Sequence, residues 1–436
     1  MNDSLTALLE RAAQPGFEDW RRGIVRLGGC TNPVNLTGHG TTVDPATGEV
    51  LRSLNGRLLV ACGNRRAVVC PTCARVYRGD TYHLIRAGLV GGKEVTEEVG
   101  GHPRVFATLT APGFGPVHTR REGNGRLLAC RPRPAKDRCP HGEPVGCHAR
   151  HTENDARLGE PLCPHCYDYA GAVLWQAYAG ALWHRFTLEL RRELARRVGL
   201  SRSAFAKRVR LSYAKVAEYQ RRGLIHFHAV IRLDGPDGPS TTPPTWATTE
   251  LLADTLRSAA QRVRLRAVGA EVVGPHVLRF GAQVDVRPIT AFGAEERLTP
   301  SAVAGYIAKY ATKGAEAAGA VSGRIHHASE LVALPLRRHV LRMAGACWWL
   351  GGLPEFEPLG LRRWAHMLGY GGHFTTKSRR YSTTLTALRT ARATYRAGGT
   401  ATVTVGQWRY TGRGYDPAGA LIAASVRAEG DGHGAV

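Results

Sequence analysis

The spacing of apolar and polar positions predicts several strands in the middle of the chain. The apolar run RVFATLTAP at 104–112 is typical of a buried strand. The segments LSYAKVAEYQ at 211–220 and LIHFHAVIRL at 224–233 are strand-like and are joined by Arg221-Arg222-Gly223. A short connection that contains glycine, placed between two such segments, predicts a β-hairpin.

Helical patterns flank these strands. A long one covers 171–199, a second covers about 246–268, and a third is opened by Thr299-Pro300-Ser301. A further strand is expected at about 282–289. The order strand, helix, hairpin, helix, strand, helix between 104 and 315 predicts an α+β fold, with a sheet core rich in antiparallel strands and helices on one face.

Composition and charge change this picture in one respect. The chain has 436 residues, of which 43% are hydrophobic, so a disordered tail or a fibre is excluded. It has 59 Lys and Arg against 35 Asp and Glu, a formal net charge of +24. Solubility does not require such an excess, which is typical of proteins that bind nucleic acid. An acidic membrane surface as partner and a simple bias towards arginine are the alternatives.

The start of the chain and its hydropathy predict the compartment. The first 20 residues lack a basic segment followed by an apolar one, and no run of about 18 apolar residues exists. We therefore expect a cytoplasmic protein with no membrane partner. Because the cytosol keeps thiols reduced, clustered cysteines are expected to bind metal rather than to form disulfides.

Two groups of cysteines have the spacing of structural zinc sites. The loop-like stretch 113–169 is rich in Pro, Gly and Cys, and neighbouring histidines are possible substitutes there. The alternative is a set of surface thiols. The first predicted ligand set is Cys139, Cys147, Cys163 and Cys166, with His141, His148, His151 and His165 as substitutes; the second is Cys62, Cys70 and Cys73, completed by Cys30. Cys130 and Cys347 are left over and are expected to be small buried apolar residues.

The hairpin carries a candidate metal site of a different kind. Because side chains at i and i+2 of a strand share a face, His226 and His228 project together. With the turn at 221–222, paired residue numbers sum to about 443–444, so Glu218 lies opposite Ile225 or His226. A lone His-x-His pair most often binds nothing. Two imidazoles and a carboxylate, however, make an open site for a divalent cation such as Mg²⁺ or Mn²⁺.

The segment GYIAKYATKG at 305–314 is the second candidate site. On a helix, Tyr306, Lys309, Tyr310 and Lys313 lie along one stripe. An ordinary amphipathic helix would also produce this stripe. The functional interpretation is two phenolic nucleophiles with adjacent ammonium groups that lower their pKa and hold a phosphate.

The C-terminal segment 373–396 interleaves basic and aromatic residues. Lys377, Arg379 and Arg380 are its predicted DNA contacts, and a solvated basic face is the alternative. The sequence as a whole suggests three regions. These are an N-terminal zinc-type region at 1–100, an endonuclease-type domain at 101–315 with an inserted Cys/His loop at 130–166, and a basic DNA-binding region at 316–436.

These motifs resemble those of the HUH endonuclease superfamily, the rolling-circle replication initiators. The match is closest to the RepSA-type initiators of actinomycete plasmids and integrative elements. The similar phrases keep their order from CGNRRAVVCPTCARVYRGD (62–80) through RVFATLTAPGFGPVH, PLCPHCYDYAGAVLW, AEYQRRGLIHFHAVIRLDG and AGYIAKYATKG to LGYGGHFTTKSRRYSTT (368–384).

The resemblance implies specific roles. It implies an HUH-type sheet that nicks double-stranded origin DNA, with His226 and His228 as metal ligands, Glu218 as the third ligand, and Tyr306 and Tyr310 as nucleophiles. Attack by tyrosine would leave a 5′-phosphotyrosyl link and a free 3′-OH primer, and the displaced single strand would later be rejoined. The chain has no Walker A motif, so helicase and polymerase would come from the host.

Two other functions remain open at this point. A conjugative relaxase or a single-strand transposase would use the same fold, although relaxases usually carry the tyrosine before the histidine motif, whereas Tyr306 follows His228 here. A zinc-stapled DNA-binding regulator without catalysis is the third hypothesis. In that protein the histidines and tyrosines would be structural.

Overall fold

Helices and strands alternate over most of the chain in the computed structural model, which describes residues 3–290, 298–321, 323–396, 398–399 and 402–432. The helices are α1 (Asp3–Ala12), α2 (Phe17–Val25), α3 (Pro71–Val90), α4 (Tyr169–Arg197), α5 (Arg202–Ala206), α6 (Thr249–Arg262), α7 (Pro300–Ala311), α8 (Ala328–Ala333), α9 (Arg338–Leu350), α10 (Leu385–Arg396) and α11 (Pro417–Gly432). The strands are β1 (Val34–Val43), β2 (Val50–Val60), β3 (Arg104–Thr110), β4 (Arg121–Gly123), β5 (Arg126–Leu128), β6 (Arg210–Tyr219), β7 (Ile225–Asp234), β8 (Leu265–Arg266), β9 (Val277–Leu278), β10 (Val284–Pro288), β11 (Thr375–Lys377) and β12 (Val403–Arg413).

The chain divides into two units. One is formed by Met1–Leu84 with Thr383–Val436, and the other by Ile85–Ser382. The three regions suggested by the sequence, 1–100, 101–315 and 316–436, stay a prediction. Within the last of them, residues 322, 397, 400–401 and 433–436 lie outside the described residues.

The smaller unit contains a sheet that the sequence did not predict. Its strand order is β12-β1-β2, with both pairs antiparallel. Ile24, Leu59 and Ala423 form a small core beside it. β1 is rich in Gly and Thr and has few buried positions, so its sequence VNLTGHGTTV carries little apolar periodicity. Its partner β12 also lies more than 350 residues away along the chain.

The larger unit contains the predicted α+β core. Its five strands have the order β10-β3-β7-β6-β11, and every pair is antiparallel. The strand at 104–112, the hairpin and the helix opened by Thr299 are confirmed, and the Thr299 side chain accepts a hydrogen bond from the backbone of Ala302. The helix predicted at 246–268 ends earlier, at Arg262, because the backbone becomes extended at Val263.

The two faces of the sheet have different character because β7 alternates apolar and polar residues. Phe227, Ala229 and Ile231 are buried on one face, where Trp183 of α4 meets Phe227 edge-on with ring centroids 5.5 Å apart. His226 and His228 lie on the other face, towards α7. The prediction that all helices cover one face is therefore wrong. α7 packs on the polar face because its own apolar positions need a surface, and Ile307 is fully buried there.

Among the described helices, none combines the length and the apolar character needed to cross a bilayer.

Candidate functional site

Glu218, His226 and His228 converge on one point of the central sheet. The register pairs Glu218 with His226 directly, as one of the two predicted alternatives required. Nε2 of His226 and Nε2 of His228 lie 2.9 and 2.8 Å from the same carboxylate oxygen, Oε2 of Glu218. The two imidazole nitrogens are themselves 2.9 Å apart. Three ligand atoms facing one another in this way form a candidate metal site.

Neighbouring side chains hold this group in place. Thr108 on β3 lies opposite His228, and its hydroxyl is 3.0 Å from Nδ1 of that ring, which leaves Nε2 to face Glu218. Phe106 stacks on His228 with ring centroids 5.8 Å apart. Burial opposes ionisation of Glu218, but hydrogen bonds from the two histidines outweigh it and lower the pKa of Glu218 to about 2. The carboxylate is therefore available as an anionic ligand.

The two tyrosines of α7 stand beside the histidines. The hydroxyl of Tyr306 is 3.3 Å from Nε2 of His228, and the rings of Tyr306 and Tyr310 are 4.7 Å apart. Tyr306 keeps 37% of its surface exposed, so a large substrate can reach it. Successive turns of one helix thus present two phenols to the same three ligand atoms.

The spacing of the two lysines suggests that each lies beside a different tyrosine, but the structure places both beside the same one. Both ammonium groups lie near the ring of Tyr310, Lys313 at 4.7 Å and Lys309 at 5.7 Å from its centre. Burial and the nearby charge of Glu218 raise the pKa of Tyr306 and of Tyr310. This differs from the expectation that the lysines lower both pKa values, because the carboxylate and the loss of solvent dominate at the phenols.

Comparison with known proteins decides the family. The family model described as "RepSA: Replication initiator protein, pSAM2" matches residues 16–428. A replication initiator protein from Streptomyces ambofaciens is 46% identical over 445 aligned residues, which cover 97% of this chain and 92% of that protein.

The chain belongs to the RepSA family of replication initiators. The resemblance to the RepSA-type initiators is thereby confirmed. No solved structure matches it.

In this RepSA protein one cysteine group agrees with the predicted set. Cys30, Cys62, Cys70 and Cys73 lie within 4.8 Å of one another through their ligand atoms. The backbone N–H of Thr31 donates to Sγ of Cys70 at 3.4 Å, as is common around metal-bound thiolates. The four thiols join the end of α2, the end of β2 and the start of α3. They can hold a structural metal in a unit whose apolar core is small.

The loop between β3 and α4 differs from its predicted ligand set. Cys139, Cys163 and Cys166 come together with His141, whose Nδ1 is 3.2 Å from Sγ of Cys166. Cys147 is not part of this group. It lies instead with three other residues, His118, Cys130 and His151.

Cysteine spacing alone gave the wrong partner for Cys147 because the loop folds back on itself. The backbones of Arg131 and Cys147 exchange two hydrogen bonds, of 2.8 and 2.7 Å, which bring Cys147 beside Cys130. Cys130 is therefore a candidate ligand and not merely a buried apolar residue. His151, one of the predicted substitutes, belongs to this second group, and His118 is the residue that the sequence analysis missed. His148, another predicted substitute, lies 2.8 Å from the carbonyl of Arg133 instead.

The predicted DNA contacts lie at the edge of the larger sheet. Lys377 ends β11, and its ammonium group donates to the carbonyl oxygens of Arg379 and Ser382, at 3.2 and 2.9 Å. Arg379 and Arg380 are exposed. Lys377 thus organises the turn that presents the two arginines.

A cavity of about 990 Å³ lies at the end of β3 and β6. Thr110 and Gln220 line it, and these residues adjoin the site, since Thr110 is paired with His226. Among the described residues that line the cavity, Glu153 supplies the sole carboxylate. Five arginines line it: Arg120, Arg221, Arg222, Arg264 and Arg279. Its charge suits a phosphate-bearing ligand.

A second polar cluster occupies the far end of the same strand. Arg232 forms two hydrogen bonds with Asp234, of 2.5 and 2.9 Å, and both side chains are fully buried. Nδ1 of His102 and the hydroxyl of Ser212 also form hydrogen bonds with the Asp234 carboxylate, at 2.8 and 2.6 Å. Hydrogen bonds from these partners outweigh burial and lower the pKa of Asp234. No local sequence pattern predicts this cluster, since His102 and Asp234 are 132 residues apart.

Proposed function

We propose that this RepSA initiator nicks one strand of origin DNA through a tyrosine nucleophile and so starts rolling-circle replication. One observation carries the proposal. The hydroxyl of Tyr306 lies 3.3 Å from Nε2 of His228, so an exposed nucleophile lies next to a three-ligand metal site. A structural histidine pair would not need a carboxylate and two phenols around it.

The three side chains fit a divalent cation. Glu218 supplies an anionic oxygen, and His226 and His228 direct their Nε2 atoms to the same point. The Nε2 atoms of the two histidines are 2.9 Å apart, and they can hydrogen-bond to each other only if one of them carries a proton. A bound cation would instead accept the lone pairs of both. Mg²⁺ or Mn²⁺ bound here would supply Lewis-acid polarisation of the scissile phosphodiester.

The chemical step exchanges one phosphodiester bond for another. The phenolic oxygen of Tyr306 attacks the scissile phosphorus and loses its proton, while the bond from phosphorus to the 3′ oxygen breaks. The 3′ oxygen takes up a proton and becomes the primer hydroxyl. The 5′ end stays covalently bound to the tyrosine. Because the bond energy is stored in this link, later joining needs no ATP.

Tyr310 is proposed as the second nucleophile. Its ring is 4.7 Å from that of Tyr306, so a phosphate held at the site is within reach of both. The ammonium groups of Lys309 and Lys313 lie beside this ring and favour an anionic phosphate close to it. Tyr306 makes the first cut, and Tyr310 then takes part in joining the displaced strand.

The surfaces around the site are suited to DNA. The cavity lined by five arginines begins where β3 ends, next to the metal ligands, and would hold the phosphates of the strand adjoining the nick. Arg222 is fixed there by hydrogen bonds to the carbonyls of Ala111 and Pro112. Arg379 and Arg380 would add contacts to the double-stranded origin. The host would supply helicase and polymerase.

Structural zinc is part of the proposal. The Cys30 group offers four thiols, and the group of Cys139, His141, Cys163 and Cys166 offers three thiols and one imidazole. Both donor sets are those of structural zinc sites. Neither group adjoins the tyrosines in sequence, so zinc there would stabilise the fold and not take part in cleavage.

A nicking assay tests the proposal. The purified full-length protein is incubated with a supercoiled plasmid that carries its origin, in Mg²⁺ or in EDTA. The fraction of plasmid converted to the open-circular form is then measured on a gel. We expect nicking in Mg²⁺ only, loss of nicking in Tyr306→Phe, and nicking without strand joining in Tyr310→Phe. Tyr410→Phe, an exposed tyrosine of β12, is the matched control and should behave like the wild type.

Nicking in EDTA, or full nicking and joining by the Tyr306→Phe/Tyr310→Phe double variant, would contradict the proposal. Binding of origin DNA with no nicking under any of these conditions would instead favour a regulator.

A further inference from the structure

The long loop between β3 and α4 contains two ligand groups, not one. His118, Cys130, Cys147 and His151 have their ligand atoms within 4.8 Å of one another, separately from the group of Cys139, His141, Cys163 and Cys166. Nδ1 of His118 is 3.1 Å from Nε2 of His151, and Sγ of Cys147 is 3.6 Å from the same Nε2. Two thiols and two imidazoles facing one point are a tetrahedral donor set.

The surroundings of the first group are those of metal ligands. Asp155 lies 2.7 Å from Nδ1 of His151, which leaves Nε2 directed at the other three ligands. His151 is only 1% exposed, so this imidazole is held in place by burial as well. The backbone N–H of Thr119 donates to Sγ of Cys130 at 3.2 Å. A carboxylate behind the histidine and an N–H behind the thiolate both raise the affinity of such a site for a cation.

The loop has little regular secondary structure and only isolated backbone bridges to hold its shape. Between residues 113 and 166 the described secondary structure consists of one short hairpin, β4 and β5. The buried apolar residues of this stretch are Cys130, Leu158, Pro161 and Cys163, and two of these four are ligand candidates. A segment of this length with so small a core requires cross-links.

The order of the ligands along the chain adds a specific arrangement. The pair His118 and Cys130 belongs to the first group, and the pair Cys139 and His141 to the second. Cys147 and His151 return to the first group. Cys163 and Cys166 complete the second, so that alternate pairs share an ion.

We propose that residues 118–166 form an interleaved two-zinc module, in which His118, Cys130, Cys147 and His151 bind one Zn²⁺ and Cys139, His141, Cys163 and Cys166 bind the other. Each ion closes a loop that contains ligands of its neighbour. Loss of one ion therefore releases the chain that positions the other, and the two sites are expected to fill and empty together. The proposal does not depend on nicking, because its readout is metal content and metal ligation.

The module has a consequence for the cavity that adjoins the candidate metal site at Thr110. Three residues of the module, His118, Arg120 and Glu153, also line the cavity. Folding of this wall would therefore require zinc, although zinc takes no part in bond cleavage.

X-ray absorption at the zinc edge of the full-length protein, purified without chelator, tests the ligation directly. With the Cys30 group also filled, the protein should hold three zinc ions. Their average shell should be three sulfurs at about 2.3 Å and one nitrogen at about 2.0 Å, since the three groups hold nine thiols and three imidazoles. Two zinc ions with an almost pure sulfur shell would overturn the proposal.

Metal analysis of variants tests the interleaving. Cys130→Ser should lower the zinc content by two ions per chain, and Cys163→Ser should do the same. Cys70→Ser, in the other unit, should lower it by one. Cys347→Ala, a buried thiol of α9 outside these groups, is the matched control and should keep all three.

If Cys130→Ser loses a single ion while the Cys139 site stays filled, the interleaving is wrong. If a variant does not fold, stepwise release of zinc from the wild type by a thiol reagent replaces it. Two of the three ions should then leave in one step, and three separate steps would contradict the proposal.

Discussion

The two ends of β7 carry two polar clusters on the same face of the strand. One is open to solvent and the other is closed to it. His226 and His228 lie at one end, Arg232 and Asp234 at the other, with Val230 between them. His228 and Arg232 are four positions apart along the strand, roughly 13 Å. Both clusters bring basic groups and a carboxylate together within hydrogen-bond distance.

Solvent access and satisfaction of the polar atoms distinguish the two clusters. The side chains of Arg232 and Asp234 are 0% exposed, and their charged groups are spent on each other, on His102 and on Ser212. The side chains of His226 and Glu218 keep 14% and 16% exposure. The cluster of Arg232 and Asp234, the closed cluster, cannot be reached from solvent, although Nε2 of the buried His102 has no hydrogen-bond partner among the described residues. In the open cluster of Glu218, His226 and His228, three ligand atoms face one another beside the exposed phenol of Tyr306. A buried polar cluster is therefore not by itself a functional site. The candidate site is the cluster whose ligand atoms can still bind an ion or a substrate.

The largest effect expected from this comparison concerns the open cluster. His226→Ala and His228→Ala should lower origin nicking by at least a hundredfold, because even groups behind a metal ligand typically change activity 10- to 100-fold. The melting temperature should change by only a few degrees. Plasmid nicking and thermal unfolding are the measurements.

His184→Ala is the control for the histidine variants, since this histidine is exposed on α4. It should nick like the wild type. A His226→Ala/His228→Ala protein that still nicks in EDTA would show that the open cluster is not the metal site.

The closed cluster should respond in the opposite way. Asp234→Asn leaves the buried guanidinium of Arg232 without its counter-charge, and breaking such a pair costs about 3–5 kcal/mol of unfolding free energy. Nicking per folded molecule should be unchanged at a temperature where the variant is native. Urea unfolding gives the free energy, and the plasmid assay gives the activity.

Asp285→Asn is matched to that variant because Asp285 also pairs with an arginine two residues away, but both side chains of that pair are about half exposed. It should cost less than about 1 kcal/mol. Equal losses in the two variants would remove the distinction based on burial.

Thr108→Val tests the support of the open cluster. The hydroxyl of Thr108 is 3.0 Å from Nδ1 of His228, so its loss frees the ring to turn or to change tautomer. The concentration of Mn²⁺ needed for half-maximal nicking should rise 10- to 100-fold, and saturating metal should restore most of the rate. An unchanged metal requirement would mean that Phe106 and the backbone alone fix the ring.

The smallest effect concerns pH. The pKa of Asp234 is lowered in the folded protein, so its charged form contributes stability that is present above the pKa of an unfolded aspartate, about 3.9, and is lost as the pH falls below that value. The stability gap between wild type and Asp234→Asn should therefore narrow from pH 5 to pH 3. His102 faces the same carboxylate and is kept in both proteins. Urea unfolding at each pH would contradict this account if the gap widened on acidification.

Local signals in the sequence predicted one of these two clusters well. The short connection at 221–223 fixes the hairpin register, and the register alone pairs Glu218 with His226. The cap at Thr299 fixes where α7 begins and hence which turns carry Tyr306 and Tyr310. These features depend on residues close together in the chain.

The remaining features depend on contacts between distant segments. Asp234 meets His102, which is 132 residues away, and no local pattern announces that pair. Cys147 pairs with Cys130 because of two backbone hydrogen bonds across a turn-rich loop, where side-chain periodicity is absent. β12 completes the smaller sheet from the far end of the chain. Such pairings are decided by tertiary structure, so spacing rules could not find them.

The central claim is that a tyrosine of α7 becomes covalently linked to DNA beside Glu218, His226 and His228. It is tested most directly by trapping the adduct formed on origin DNA in Mg²⁺, digesting the protein and the DNA, and mapping the modified peptide by mass spectrometry. We predict a nucleotide attached to Tyr306 in the wild type, and no adduct in the Tyr306→Phe/Tyr310→Phe protein. A nucleotide attached to any residue outside Pro300–Ala311 would contradict the account.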